Sequence, residues 1–108
     1  MIIQMVKFRS GLSDEAVRRA MEERAPQFRA LPGLLQKWYV REPATGEFSG
    51  VYLWDSEDSL RAFRASDLAR TIPSAYEVAA PPRIETFEVL FPLRAQEPAG
   101  VTGFADTP

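Results

Sequence analysis

Four short stretches of the chain are apolar or alternate apolar with polar residues, and the stretches between them repeat apolar residues at three-to-four spacing. Ile2 to Phe8 is β-branched and apolar, stops at Ser10-Gly11, and is too short for a stable helix, so it predicts a first strand. Ser13 then offers an N-cap, with Asp14 and Glu15 where a helix dipole favours negative charge. Val17, Met21, Arg24 or Ala25, and Phe28 follow on one helical face, and Pro26 is expected to kink or end that helix before Leu31-Pro32-Gly33. Leu34 to Arg41 alternates Leu35, Lys37, Tyr39 and Arg41 on one face with Leu34, Gln36, Trp38 and Val40 on the other. Pro43-Ala44-Thr45-Gly46 turns the chain into a third strand, Phe48 to Trp54, in which Gly50 marks a bulge or a close backbone approach. Asp55 or Ser56 caps a second helix carrying Leu60 and Phe63. Leu68 and Ile72 fall out of its phase, which predicts a further short helix capped at Ser66-Asp67 and ended by Pro73. Ile84 to Phe91 is the last strand.

The order strand, helix, strand, strand, helix, strand predicts an α+β ferredoxin-like βαββαβ domain over 1–94, a four-stranded antiparallel sheet with two helices on one face. The other face carries apolar or amphipathic side chains in every strand, and a second sheet is the natural cover. A homodimer follows, burying at least the roughly 1,600 Å² of a stable interface. Residues 95–108 are polar, rich in Pro and Gly and aperiodic, and predict a flexible tail with Val101 and Phe104 as anchors on a partner subunit.

Composition narrows the chemistry. The 108 residues contain no cysteine, histidine or asparagine, which removes thiolate nucleophiles, the commonest metal ligand and the usual neutral-pH base. No metal or cofactor site is expected. A net charge of −2 argues against nucleic acid as a partner. Met1 opens directly into an apolar run without a basic leader, and no stretch approaches a membrane span, so a cytoplasmic protein with no membrane partner is expected.

The segments Leu31-Pro32-Gly33-Leu34-Leu35-Gln36-Lys37-Trp38 and Gly50-Val51-Tyr52-Leu53-Trp54-Asp55-Ser56-Glu57-Asp58-Ser59-Leu60-Arg61-Ala62-Phe63 resemble the dimeric α+β barrel superfamily. The likeness covers about residues 2–94 and is closest to the small putative monooxygenase branch, related to the antibiotic-biosynthesis monooxygenases. It implies a pocket in each subunit between helices and sheet, near the third strand and second helix. It also implies a cofactor-independent monooxygenase acting on a small aromatic, phenolic or quinol-like compound. Heme-degrading relatives hold iron with a histidine, and Pro73 stands about where that ligand is sought. Anthrone-oxidising relatives surround substrate with asparagine, tryptophan, tyrosine and arginine; Trp54 matches the strand tryptophan, and no residue here matches the asparagine.

Oxygenation without a cofactor requires a water-poor cavity, flat aromatic walls and a few polar groups that hold an anion. Trp54, Tyr52, Trp38, Tyr39 and Phe63 are the candidate walls, or else ordinary core and interface aromatics. Gln4, an amide amid apolar residues of the first strand, orients a phenol or quinone oxygen or is satisfied within the protein. Lys37 and Arg41 stabilise an oxyanion if their face lines a cavity, and otherwise reach the sheet edge or pair across the dimer. Arg61, Arg64, Glu22 and Glu23 belong by phase to solvated faces. No catalytic residue is singled out. The competing reading is a non-catalytic dimeric binding module for a small hydrophobic metabolite, which needs none of the missing residue types.

Overall fold

The computed structural model describes residues 1–94, and the tail predicted at 95–108, with Val101 and Phe104, lies outside the described residues. The elements are β1 (Ile2–Phe8), α1 (Asp14–Arg29), β2 (Leu34–Arg41), β3 (Phe48–Trp54), α2 (Glu57–Arg64), α3 (Asp67–Arg70), α4 (Ile72–Ala75) and β4 (Arg83–Glu88). The strands form one antiparallel sheet in the order β2-β3-β1-β4, the ferredoxin-like arrangement. No helix among the described residues is long and apolar enough to cross a membrane.

Three serines start the helices as their positions predict. Ser13, Ser56 and Ser66 each accept a hydrogen bond from the backbone N–H three residues on, at 3.2 to 3.3 Å. Pro26, expected to kink or end α1, and Pro73, expected to end a helix, both lie within helices. Pro26 lies in the last turn of α1, where it sacrifices a single backbone bond while the buried Phe28 anchors that turn in the core. Pro73 stands in the first turn of α4, where an N–H would lack an intrahelical partner in any case.

The hairpin closes through Gly46 N–H to Glu42 O and Glu42 N–H to Glu47 O, both 2.8 Å. Facing β1, β3 keeps regular register through Gly50, and the irregularity falls in β2 between Leu34 and Gln36. That bulge changes the expected alternation: Leu34 pairs opposite Trp54 and packs against the helix-side core, on the same sheet face as Lys37, Tyr39 and Arg41. The last strand ends at Glu88 rather than Phe91, because its only partner among the described residues is β1, whose pairing runs out at Ile2 opposite Glu88.

The register sorts side chains onto two faces. Gln4, Val6, Phe8, Phe48, Tyr52 and Trp54 face the helices and meet Val17, Phe28, Leu60, Phe63, Ile72 and Tyr76 in the core. On the opposite face Ile3, Met5, Trp38, Val40, Val51, Leu53 and Phe87 form an apolar surface that no helix covers. A clasp joins β2 to the start of α2. Asp55 N–H donates to Gly33 O at 2.8 Å, and Asp55 Oδ1 accepts from Ser59 Oγ at 2.6 Å. Gly33 has φ of +80°, and a Cβ there would lie 2.1 Å from Ser59 Oγ.

Candidate active site

Alternation along β3 places Tyr52 and Trp54 side by side on the helix face, with ring centroids 5.9 Å apart and planes within 6°. Phe63 of α2 sits 5.3 Å from both, and Phe28 of α1 lies 6.1 Å from Tyr52 and 5.9 Å from Phe63. These four rings form a wall through the layer between helices and sheet. A different environment lies on each side of it.

On the β1 side, the Trp54 indole donates Nε1–H to Gln4 Oε1 at 3.1 Å, and both residues are almost wholly buried. Indole nitrogen is only a donor, so it must meet the amide oxygen, which leaves the Gln4 nitrogen turned elsewhere. Among the described residues that nitrogen has no hydrogen-bond partner. Gln4 lines a cavity of about 280 Å³ together with Val6, Phe63, Arg64, Ile72 and Ile84. Arg64 is exposed at this cavity and makes no ion pair among the described residues, whereas the neighbouring Arg70 is held by Asp67.

On the β2 side lies Lys37, whose Nζ is 3.3 Å from the Phe28 ring centroid, 4.3 Å from that of Tyr39 and 4.5 Å from that of Tyr52. Burial among these rings, reinforced by the positive charge of Arg24, pulls its ammonium pKa down to about 7. Burial pushes the Tyr39 and Tyr52 phenols up. Gly50 explains how the lysine stem fits over the sheet. A Cβ there would stand 2.9 Å from the Tyr52 ring and 3.3 Å from Lys37 Cε, so the strand glycine is a close approach and not a bulge. Lys37 opens onto a cavity of about 360 Å³ lined also by Ala25, Phe28, Arg29, Leu34 and Tyr39. Arg24 is held by Thr71 Oγ1 and Leu68 O, and its buried Nε lacks a hydrogen-bond partner among the described residues.

The sequence matches the family described as putative mono-oxygenase ydhR over residues 2–98. The chain belongs to that ydhR family. Its fold is shared with solved structures of low sequence identity. A putative antibiotic biosynthesis monooxygenase from Deinococcus radiodurans superposes with a TM-score of 0.70 at 17% identity, covering 90% of this chain and 100% of that one. One from Caulobacter crescentus gives 0.69 at 19% identity, over 83% and 90% of the two chains. SnoaB, a cofactor-independent oxygenase from Streptomyces nogalater, gives 0.69 at 15% identity, over 85% and 95%. No match is found among curated proteins.

In this ydhR-family chain the six expected site residues, five aromatic walls and the Gln4 amide, do not share one pocket. Gln4, Trp54 and Phe63 gather on the β1 side, and Tyr39 lies on the β2 side with Tyr52 between. Trp38 points to the opposite sheet face, opposite Val51, 38% exposed and away from both cavities. Lys37 and Arg41 also part ways: the lysine turns into the aromatic cage, while Arg41 reaches Asp14 at 3.6 Å. Phe28, Arg24 and the cavity position of Arg64 were not among the expected site features. The helical phase that puts Phe28, and Arg24 or Ala25, on the face of α1 toward the sheet was the signal for the first two, and nothing pointed to Arg64.

Proposed function

We propose that this ydhR-family protein is a cofactor-independent monooxygenase of a small phenolic or quinol-like compound, bound in the cavity that Gln4 enters. The carrying observation is the Gln4 amide, held at its oxygen by Trp54 and left with free N–H donors in a largely apolar cavity. Such donors recognise a phenolate or carbonyl oxygen, and Arg64 at the same cavity adds positive charge for the anion. Phe63, Ile72 and Ile84 supply apolar walls.

The bound phenol loses its proton to solvent, and the electron-rich anion gives one electron to dioxygen. Substrate radical and superoxide then join in a C–O bond, and the peroxide anion takes back a proton from solvent. The resulting hydroperoxide loses water as a second proton leaves the same carbon, so one oxygen atom remains as a carbonyl and the other departs as water. The protein holds the anion and excludes bulk water while this happens. No side chain has to act as base, and the rate should follow the ionisation of the substrate itself.

A homodimer belongs to this reading. The face bearing Ile3, Met5, Trp38, Val40, Val51, Leu53 and Phe87 is of the kind a second sheet covers to make a dimeric α+β barrel. Sedimentation at micromolar concentration should show the dimer.

Oxygen uptake with a panel of hydroquinones and anthrones tests the chemistry. Uptake above the uncatalysed rate is expected, with KM raised about tenfold or more in Gln4→Leu, the size of one lost hydrogen bond to a charged group. Tight binding of the panel without uptake would instead make the protein a binding module for such compounds.

A further inference from the structure

Lys37 has no role in the oxygenation just described, yet its surroundings are unusual for a lysine. The chain contains eleven arginines and two lysines. Lys7 is ion-paired with Glu42 at 2.8 Å and Glu47 at 3.8 Å. Lys37 has no carboxylate within ion-pairing distance among the described residues, and three aromatic rings surround its amine. A guanidinium at this place would stay charged at any accessible pH, whereas a lysine amine can lose its proton and present a lone pair. The charged groups facing it from α1 are Arg24 and Arg29, both of its own sign, and the titratable groups facing it from β2 and β3 are the Tyr39 and Tyr52 phenols. Burial and the guanidinium of Arg24 favour the neutral amine, and the phenols are uncharged, while the three ring faces attract the ammonium and temper that preference.

Lys37 also borders open space. On one side the space among Val6, Met21, Tyr52 and Tyr76 is about 10 Å³, room for about one water. On the other lies the cavity of about 360 Å³ between α1 and β2. Phe28, Leu34 and Tyr39 give that cavity apolar walls, and Arg29 lines it with no ion-pair partner among the described residues.

We propose that Lys37 is a nucleophilic amine that forms an imine with a small aromatic aldehyde or ketone carrying a carboxylate, the ring lying against Phe28 and Tyr39 and the carboxylate meeting Arg29. The Nζ lone pair adds to the carbonyl carbon, and the nitrogen proton passes to the oxygen to give a carbinolamine. Solvent protonates the hydroxyl, water departs, and the C=N bond forms; no oxidant or reductant takes part. The depressed ammonium pKa lets this happen at neutral pH, where an ordinary lysine is almost wholly protonated. The site is separate from the Gln4 cavity, so either reading can fail without the other.

The full-length protein incubated with 4-carboxybenzaldehyde and sodium cyanoborohydride, followed by peptide mapping, tests the assignment. The expected result at pH 7 is a carboxybenzyl group on Lys37, formed at least about tenfold faster than on Lys7, with a pH midpoint near 7. Benzaldehyde, lacking the carboxylate, should label Lys37 more slowly, and Arg29→Gln should erase that preference. Equal labelling of Lys37 and Lys7, or labelling of Lys37 only where an ordinary lysine reacts, would overturn the proposal. Because the wild-type protein carries its own control lysine, the result does not depend on any variant folding.

Discussion

The two sides of the Tyr52-Trp54-Phe63-Phe28 wall solve the burial of a polar group in different ways. Gln4 is almost completely enclosed, yet its amide oxygen has a partner and the group stays neutral at every pH. Lys37 is less enclosed, meets rings and like charges but no carboxylate among the described residues, and lightens the cost of its buried charge by giving up its proton near pH 7. A buried amide therefore fixes a geometry, whereas a buried lysine makes the surrounding structure sensitive to pH. The difference can be tested from its shared wall outward.

Trp54→Ala removes the ring on which both sides lean and leaves Gln4 without its donor. A loss of about 3–5 kcal/mol is expected, read as a fall in Tm in thermal unfolding, the largest effect of any change considered. Next comes the pH dependence of stability. Lys37 has a folded pKa near 7 against an ordinary value of about 10.4, so between these limits the unfolded chain binds more protons than the folded one. Stability should therefore rise from pH 7 towards 10, by on the order of a few kcal/mol. Above pH 10 it should fall again, because Tyr52 and Tyr76 hold their protons more tightly in the folded state. Lys37→Met should abolish the rise, and denaturant titrations across that range check it; a wild-type curve flat from pH 7 to 10 would sink the account of Lys37.

Gly50→Ala presses a methyl against the Tyr52 ring and the Lys37 stem, and an overpacking cost of about 1–3 kcal/mol is expected. It should also displace the midpoint of Lys37 labelling, because the amine would sit differently in its cage. At the small end, Arg61→Ala breaks exposed contacts to Glu57 at 2.7 Å and Asp58 at 3.2 Å, remote from either cavity. A change within about 0.5 kcal/mol is expected, and a larger one in thermal unfolding would mean that α2 depends on its surface charges.

Much of the fold was legible because its signals are local. Ser13, Ser56 and Ser66 cap what their positions predict, and the parity of β3 alone places Tyr52 beside Trp54. Features that depend on two elements meeting were not legible. The bulge at Leu34 to Gln36 carries no glycine to announce it, and it moves Leu34 across the sheet. Trp38 looks like any other strand aromatic until the register with Val51 sets its side. The cage of Lys37 needs α1 to bring Phe28 over β2, and the sequence alone gives no reason to expect an unpaired lysine inside. Pro26 shows how a local rule fixes an end only to within a turn: α1 runs past it to Arg29, and the buried Phe28 anchors that turn.

The placement of the two tryptophans also equips the molecule with two optical reporters that watch different events. Trp54, unexposed, stacked on Tyr52 and bonded to Gln4, should emit at short wavelength and respond to unfolding or to a guest beside the amide. Trp38, part-exposed on the far side of the sheet, should emit further to the red and shift when that surface is covered. A dilution series that moves one emission band while leaving the other in place would separate association from changes in the interior, without any label added to the chain.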